Sequence, residues 1–271
     1  MTFFCCPVCK NALTKNEKTY TCDKKHTYDI AKSGYVNLLL PNQMNTKLPG
    51  DNKLMVQART NFLNKDYYKP LADKLCEVVE RYCKDNAVVF DAGCGEGYYT
   101  SKVNEYLNGR AKIIGADISK NALAVAAKRS KSIEYAVGSL FHLPLLSESC
   151  DVLMTLFAPY CGEEFLRVLK SDGVMVLVIP SEKHLLGLKK AVYDDPYLND
   201  VKSYDLDGFK LIEKVHIDDN IFLPCNEDIA NLFTMTPYYY KTSVEDSKKI
   251  SELNELSTEI GFEILVYGKS K

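Results

Sequence analysis

A short apolar run that ends in a glycine-rich loop restricts the fold of this chain more than any other feature of its sequence. Residues 87–90 are continuously apolar, as in a central parallel strand that is covered on both faces. They lead into Asp91-Ala92-Gly93-Cys94-Gly95-Glu96-Gly97. Glycines at a strand-to-helix turn let the backbone bend sharply and approach a ligand, and the helix that opens at Tyr98 points free N–H groups towards it. The pattern predicts the ligand loop of a nucleotide-binding domain.

Strands and helices alternate after this loop. We predict strands at residues 112–116, 133–137, 151–157 and 174–179, helices at 121–131 and 163–170, and a turn at Asp172-Gly173. Residues 212–223 and 262–267 complete the sheet as a final pair of strands around a helix at 227–233. Such alternation predicts an α/β fold with a doubly wound, mostly parallel sheet of Rossmann-like type.

An acidic residue ends the second strand. Asp117 follows the third glycine, Gly97, by twenty residues, a position from which a carboxylate can accept both hydroxyls of a ribose. The alternative is that Asp117 only caps the next helix. The loop has the spacing G-x-G-x-G, whereas the dinucleotide fingerprint needs its third glycine one residue later, where Tyr98 stands.

A set of zinc ligands lies near the N-terminus. Cys6 and Cys9 are separated by two residues, Cys22 follows after twelve more, and His26 after another three. Two short-spaced pairs that frame a hairpin can supply a tetrahedral zinc site with no open position, so the predicted metal is structural. Cys5 is a rival ligand, but it lacks the two-residue gap. Residues 19–21 and 28–30 are predicted strands of this zinc ribbon.

The segment between the two parts is less regular. Residues 35–46 show a pattern of turns rather than of a regular element, and residues 54–83 show helical spacing that is interrupted near 66–70. We therefore predict a zinc module at 1–36, a connecting segment with two helices at 37–85, and a catalytic domain at 86–271.

Composition limits the partners. A net charge of −2 argues against a protein that coats DNA or RNA by bulk electrostatics, although the first fifty residues hold seven lysines against three acidic residues. The first residues show neither the basic flank nor the apolar core of a signal peptide, so a cytoplasmic location is expected. In that reducing compartment, ten cysteines indicate metal ligands and buried thiols rather than disulfides. Since no stretch reaches the roughly 18 apolar residues that span a bilayer, no membrane partner is expected. No DNA partner is expected either.

The glycine loop, with an acidic residue two positions before its first glycine, resembles the cofactor loop of class I S-adenosylmethionine-dependent methyltransferases. The whole chain resembles the bacterial 23S ribosomal RNA guanine-N1-methyltransferases. That resemblance is carried by the zinc ligands, Gly34-Tyr35-Val36-Asn37-Leu38-Leu39, Pro49-Gly50-Asp51, Gln57-Ala58-Arg59, Gly93-Cys94-Gly95-Glu96-Gly97-Tyr98-Tyr99-Thr100 and Met235-Thr236-Pro237.

The resemblance implies functions for particular residues. It implies that Asp91 and its loop hold the methionine end of S-adenosylmethionine, that Ser139 touches the adenine, and that Tyr68 and His184 belong to the same site. The cofactor-binding set is then Tyr68, Asp91, Gly93, Gly95, Glu96, Gly97, Asp117, Ser139 and His184. The resemblance also implies a 23S rRNA hairpin loop as substrate and a homodimer. It assigns no catalytic base; Asp51 and His184 are the candidates.

Two other functions compete with rRNA methylation. The chain could methylate a small metabolite, with the zinc module as a lid, or it could be a non-catalytic zinc-ribbon protein that binds RNA. Guanine N1 lies on the Watson–Crick edge, so an enzyme reaches it only in an unpaired or flipped-out base, which aromatic rings can stack upon. Tyr160 and residues 238–240 are the predicted aromatic platforms, and Lys24, Lys25 and Arg59 the predicted phosphate contacts.

Overall fold

A computed structural model describes residues 2–44, 49–201 and 203–270 of the chain. Its strands are β1 (Thr14–Lys15), β2 (Thr19–Thr21), β3 (Thr27–Asp29), β4 (Tyr35–Asn37), β5 (Ala87–Ala92), β6 (Ala111–Asp117), β7 (Glu134–Val137), β8 (Cys150–Leu156), β9 (Leu169–Pro180), β10 (Phe209–Leu223) and β11 (Leu256–Lys269). Strands β1 to β3 form a small antiparallel sheet, and the others form an eight-stranded sheet in the order β10-β11-β9-β8-β5-β6-β7-β4.

Helices connect the strands of the large sheet. They are α1 (Lys53–Leu63), α2 (Lys69–Tyr82), α3 (Tyr98–Leu107), α4 (Lys120–Arg129), α5 (Gly162–Val168), α6 (Leu186–Val192), α7 (Asn226–Thr234), α8 (Tyr238–Lys241) and α9 (Val244–Glu252). Polar side chains start two of them: Asn52 accepts a hydrogen bond from the Met55 backbone at 3.0 Å, and Ser119 accepts one from the Ala122 backbone at 3.2 Å. None of the helices in the described ranges is long and apolar enough to cross a membrane.

The topology confirms the predicted doubly wound sheet. Strand β5 lies at its centre between β6 and β8, and these three strands are parallel, as are the pairs β6–β7 and β8–β9. Strand β11 joins antiparallel to β9, and β10 antiparallel to β11. The carboxyl ends of β5, β6 and β8 therefore meet at one edge, where open α/β sheets bind their ligands.

The zinc ribbon covers part of one face of this sheet. Successive residues of β5 point to opposite faces: Val89 packs among α2, α3 and α4, whereas Phe90 packs in a second core that includes Phe4, Leu13 and other ribbon residues. Phe4 is fully buried there. Hydrogen bonds fix the same contact, because Thr2 and Tyr20 of the ribbon both donate to the Glu134 carboxylate, at 3.0 and 3.1 Å. The ribbon is thus part of the hydrophobic core.

Two predictions of local structure are wrong. Tyr35–Asn37 is strand β4, paired parallel with β7, and not a run of turns; three residues that pair with a strand a hundred positions away leave no local pattern. Asp172-Gly173 lies inside the extended segment β9 rather than in a turn before it, and the pairing with β8 shifts register there. Strand β4 also crosses the predicted boundary at residue 36, and residues 45–48 of the predicted connection lie outside the described residues.

Candidate cofactor site and zinc centre

The four predicted zinc ligands converge in the ribbon. The Sγ atoms of Cys6, Cys9 and Cys22 and a ring nitrogen of His26 all lie within 4.8 Å of one another. Cys9 Sγ and Cys22 Sγ are 3.7 Å apart, and His26 Nδ1 is 3.4 Å from Cys6 Sγ and 3.5 Å from Cys22 Sγ. Two sulfurs bound to one zinc at 2.3 Å in a tetrahedron lie about 3.8 Å apart, so the spacing fits zinc without rearrangement.

The surroundings of the centre act differently on two of its thiols. Although a hydrogen bond from the Asn11 backbone lowers it, burial and hydrogen bonds with the thiols of Cys6 and Cys22 raise the pKa of Cys9. Burial raises the pKa of Cys6, but hydrogen bonds from Tyr28 and from the backbone of Cys9 and Val8 outweigh it and lower that pKa to about 6. The rival Cys5 turns away: its thiol donates to the Leu145 carbonyl at 3.4 Å, and burial raises its pKa. Spacing therefore selected the correct cysteine.

Asp91 presents a buried carboxylate at the end of β5. Its Oδ2 accepts a hydrogen bond from Thr100 at 2.6 Å, whereas its Oδ1 is buried and has no partner. Burial, together with the negative charge of Asp117, raises the pKa of Asp91 to about 7 despite the Thr100 hydrogen bond. Such an orphaned acceptor suits a positively charged amino group, which would both satisfy it and lower its pKa.

The loop after Asp91 needs glycine at two positions for different reasons. Gly97 has φ +82°, and a Cβ there would lie 2.8 Å from the Ala126 Cβ, so neither the backbone nor the space tolerates a side chain. Gly93 has φ +85°, and a Cβ there would lie 2.7 Å from the Ala158 Cβ of the segment after β8. The loop is packed against α4 on one side and against the end of β8 on the other.

Asp117 lies beside this loop at the end of β6. Its Oδ2 accepts from the Gly95 N–H at 2.9 Å and its Oδ1 from the Ser119 N–H at 2.7 Å. The helix cap of α4 is the Ser119 hydroxyl, so the competing view of Asp117 as that cap is wrong. Each carboxylate oxygen keeps a second acceptor position that a ribose hydroxyl can use.

Glu96 is engaged within the protein. It is 2% exposed and pairs with Arg129 of α4, whose Nε donates to Glu96 Oε2 at 2.6 Å and to the Glu96 carbonyl at 3.0 Å. Burial raises the pKa of Glu96, and the Arg129 charge opposes that rise. The ion pair fastens the glycine loop to α4; a direct contact of Glu96 with the cofactor stays a prediction.

Tyr68 and His184 meet although 116 positions separate them. The Tyr68 hydroxyl lies 3.4 Å from His184 Nε2, and His184 Nδ1 accepts from the Gly261 N–H at 3.2 Å. Burial and then the charge of Lys189 lower the pKa of His184 to about 3, so the ring is neutral and carries its proton on Nε2. With its lone pair used by Gly261, His184 is a poor candidate for the base.

Ser139 follows β7, as predicted, and its hydroxyl serves the local turn. It accepts from the Phe141 N–H at 3.2 Å, while the Ser139 carbonyl accepts from the His142 N–H at 3.1 Å. A cofactor contact from this residue stays a prediction.

Arg59 lies beside the glycine loop, a position that the sequence did not predict. It forms an ion pair with Asp51 and donates to the Met235 carbonyl at 3.2 Å, and its Nη1 lies 3.7 Å from where a Cβ on Gly95 would stand. Three of the shared sequence segments thus meet at one guanidinium. Because Asp51 and Arg59 neutralise each other, Arg59 is poorly placed for phosphate and Asp51 for proton removal.

The predicted tyrosine platforms separate into two kinds. Tyr160 packs its ring on Phe165 and Phe209 in the second core, and its hydroxyl is buried. Tyr240 is 64% exposed and accepts a hydrogen bond from Asn52 at 2.9 Å. Only the second has a face available to RNA.

Comparison with known proteins identifies both parts of the chain. The profile of the family described as "RlmA, N-terminal", a zinc ribbon, matches residues 4–47, and that described as "Methyltransferase domain" matches residues 83–231. These matches confirm the predicted zinc ribbon and methyltransferase fold.

Three relatives support a narrower assignment. The 23S rRNA (guanine(748)-N(1))-methyltransferase of Streptomyces fradiae is 33% identical over 190 residues, 69% of this chain and 66% of the relative. Proteins of Micromonospora griseorubida and Bacillus subtilis (strain 168) carry the provisional name 23S rRNA (guanine-N(1)-)-methyltransferase. The first is 32% identical, over 68% of this chain and 67% of the relative; the second is 28% identical, over 72% and 70%.

The chain spans about two thirds of the length of these relatives. The two matched profiles cover the zinc ribbon and the methyltransferase domain that carries the glycine loop. The chain belongs to the family of 23S rRNA (guanine-N1)-methyltransferases, zinc-ribbon proteins that use S-adenosylmethionine.

Proposed function

We propose that this chain transfers the methyl group of S-adenosylmethionine to N1 of a guanine in a hairpin loop of 23S rRNA. The observation that carries the proposal is the fusion of a zinc ribbon with a methyltransferase sheet through one continuous core, in a chain related to enzymes of that name. We also propose that it acts in the cytoplasm, where ribosomes are assembled, and as a homodimer.

The residues of the pocket would bind and align the cofactor. Asp91 accepts the amino group of the methionine end, and Asp117 accepts the ribose hydroxyls. The neutral His184 ring donates a hydrogen bond to the buried Tyr68. When bound, S-adenosylmethionine supplies a sulfonium methyl group for direct displacement, so the protein contributes mainly orientation and exclusion of water.

The position of the ribbon favours RNA over a small metabolite. A lid must move, yet Phe4 is buried in the core and the Tyr20 hydroxyl donates to Glu134 of the sheet. The ribbon also carries Lys24 and Lys25, both exposed. A rigid module with exposed cations is suited to gripping the phosphates of a folded RNA, which supplies affinity without sequence reading.

The test is methylation of unmodified 23S rRNA transcribed in vitro, with labelled S-adenosylmethionine. Methylation at N1 blocks Watson–Crick pairing, so reverse transcriptase should stop at one guanine, and the stop should vanish when that guanine is replaced by adenine. A stop that persisted on the adenine RNA would contradict the N1 assignment. If label entered only small metabolites, the result would support the alternative in which the chain methylates a metabolite and the zinc module is a lid. If the cofactor bound without any methyl transfer, the result would support a non-catalytic RNA-binding protein.

The ribbon lysines can be tested in the same assay. Replacing both Lys24 and Lys25 by alanine should weaken RNA binding and reduce the slope of log K against log salt by about 0.7–0.9 for each phosphate that the protein no longer neutralises. Lys84→Ala is the matched control, since Lys84 is exposed but pairs with Asp172 at the amino end of β5. If Lys84→Ala reduced RNA binding and the salt slope as much as the double replacement does, the ribbon would not be the part of the protein that binds the RNA phosphates.

A further inference from the structure

Phe157, directly after β8, has an unusual combination of backbone and exposure. Its φ is +55°, a left-handed conformation that costs a residue with a side chain about 1–2 kcal/mol. Its ring is nevertheless 47% exposed, so burial does not offset that cost. The backbone is held there by a hydrogen bond from the Phe157 N–H to the Val178 carbonyl at 3.2 Å. Strained, exposed residues of this kind concentrate at functional sites.

The ring of Phe157 packs against a buried aromatic side chain. Phe157 lies 5.7 Å from the ring of Phe262, which is fully buried. Phe262 in turn packs on His184 at 4.7 Å and on Tyr68 at 5.1 Å. Phe157 is therefore the outermost ring of an aromatic cluster with tilted and edge-on contacts that includes the two predicted cofactor-site residues.

The next residue fixes the position relative to the cofactor loop. Ala158 is the neighbour that a Cβ on Gly93 would strike at 2.7 Å. Ala158 thus contacts the glycine loop, while the Phe157 ring contacts Phe262 and, through it, the Tyr68–His184 pair at the carboxyl edge of the sheet. A flat acceptor on the exposed part of the Phe157 ring is then one residue away from the loop that is proposed to hold the cofactor.

We infer that Phe157 forms a stacking subsite for the flipped-out purine base that receives the methyl group. This inference rests on the proposed function. Stacking on an aromatic ring fixes the plane of a base while leaving its Watson–Crick edge free for the methyl donor. Tyr160, one of the platforms that the sequence predicts, is less suited, because its ring packs on Phe165 and Phe209 and its hydroxyl is buried. Phe157 positions the purine and does not itself remove the N1 proton.

The experiment compares three replacements of Phe157 on unmodified 23S rRNA. Stacking of one base contributes about 1–3 kcal/mol, so Phe157→Ala should lower kcat/KM for RNA by about 5- to 150-fold. S-adenosylmethionine affinity, measured by calorimetry, should change less than threefold. Phe157→Tyr should restore most of the activity. Phe157→Gly should have a higher Tm than Phe157→Ala, since glycine relieves the left-handed strain that alanine retains, while activity stays low.

Tyr106→Ala is the matched control: Tyr106 is 46% exposed at the end of α3, on the amino side of the sheet, and its replacement should leave kcat/KM unchanged. If Phe157→Ala methylates RNA like wild type, the subsite is refuted while the proposed function stands. If Phe157→Ala loses cofactor affinity in parallel with activity, Phe157 belongs to the cofactor pocket and the inference is also wrong. If wild type fails to methylate the RNA, the proposed function itself fails.

Discussion

The carboxyl group of Asp91 should make the folded chain less stable as pH rises, and Asp91→Asn tests this. In the folded protein, burial raises the pKa of Asp91 from 3.8 to about 7. The folded state thus binds this proton more tightly than the unfolded state. The destabilisation is absent below the unfolded pKa, develops between about pH 4 and pH 7, and is complete above. Asparagine does not ionise, and its amide oxygen can still accept from Thr100.

The magnitude follows from the pKa change. One pKa unit corresponds to about 1.4 kcal/mol, so full ionisation destabilises the folded state by about 4 kcal/mol. Roughly half of that, about 2 kcal/mol, develops between pH 5.5 and pH 8. The stability of Asp91→Asn relative to wild type should rise by this amount over that interval. Chemical unfolding without added cofactor measures it, and any pH-independent effect of the substitution cancels in the difference.

Asp91→Asn should weaken cofactor binding, although it removes a destabilising charge from the folded chain. Losing a charge-assisted hydrogen bond costs about 1.5–3 kcal/mol, so Asp91→Asn should weaken S-adenosylmethionine binding about ten- to a hundredfold at pH 8. Asp172→Asn is the control, because Asp172 pairs with Lys84 at the surface and that pairing lowers its pKa. If the stability difference stayed flat from pH 5.5 to pH 8, or if affinity survived in the variant, the buried, unpartnered carboxylate would be the wrong description of this site.

Three further predictions concern the zinc centre and the glycine loop. Cys9→Ser should lose zinc and unfold the ribbon, whereas Cys5→Ser should keep one zinc per chain by elemental analysis. Gly97→Ala should lower Tm more than Gly109→Ala: both glycines have φ +82°, but an added Cβ meets an α4 side chain at 2.8 Å at Gly97 and nothing within 4 Å at Gly109. Asp117→Ala should weaken S-adenosylmethionine binding about tenfold or more by calorimetry, and unchanged affinity would remove it from the ribose site.

Features encoded in contiguous residues were predictable from the sequence, whereas features created by distant contacts were not. Spacing alone selected Cys6 over Cys5, and the loop and strand pattern predicted the central sheet. Strand β4 was missed because its partner is remote in sequence. The place of Arg59 was missed for a similar reason, since Met235, whose carbonyl accepts a hydrogen bond from Arg59, is 176 positions away.

Phe157 was missed for a different physical reason. Neighbouring residues after a strand differ in direction according to the backbone angles of the turn, and a left-handed phenylalanine cannot be anticipated from composition. The hydroxyl of a tyrosine suggests exposure, yet that of Tyr160 is buried.

The charge of the pocket distinguishes two ligands whose loops look alike. Four carboxylates, those of Asp51, Asp91, Glu96 and Asp117, surround the glycine loop, and two guanidinium groups, those of Arg59 and Arg129, pair with two of them. When all four carboxylates are ionised, four minus two leaves two negative charges. A dinucleotide brings an anionic pyrophosphate and is repelled, whereas S-adenosylmethionine brings a net positive charge at the sulfonium end.

S-adenosylmethionine should therefore bind at least a hundredfold more tightly than NAD, a gap of about 2.7 kcal/mol. Added salt should reduce this difference in binding free energy only slightly, because Asp91 is 1% exposed and salt screens the charge of a buried group poorly. Calorimetry with both ligands at low and high salt measures the gap. Comparable affinities for the two ligands would mean that the loop binds phosphate and that the carboxylates are protonated. In that case the preference for S-adenosylmethionine should appear as the pH rises above about 7.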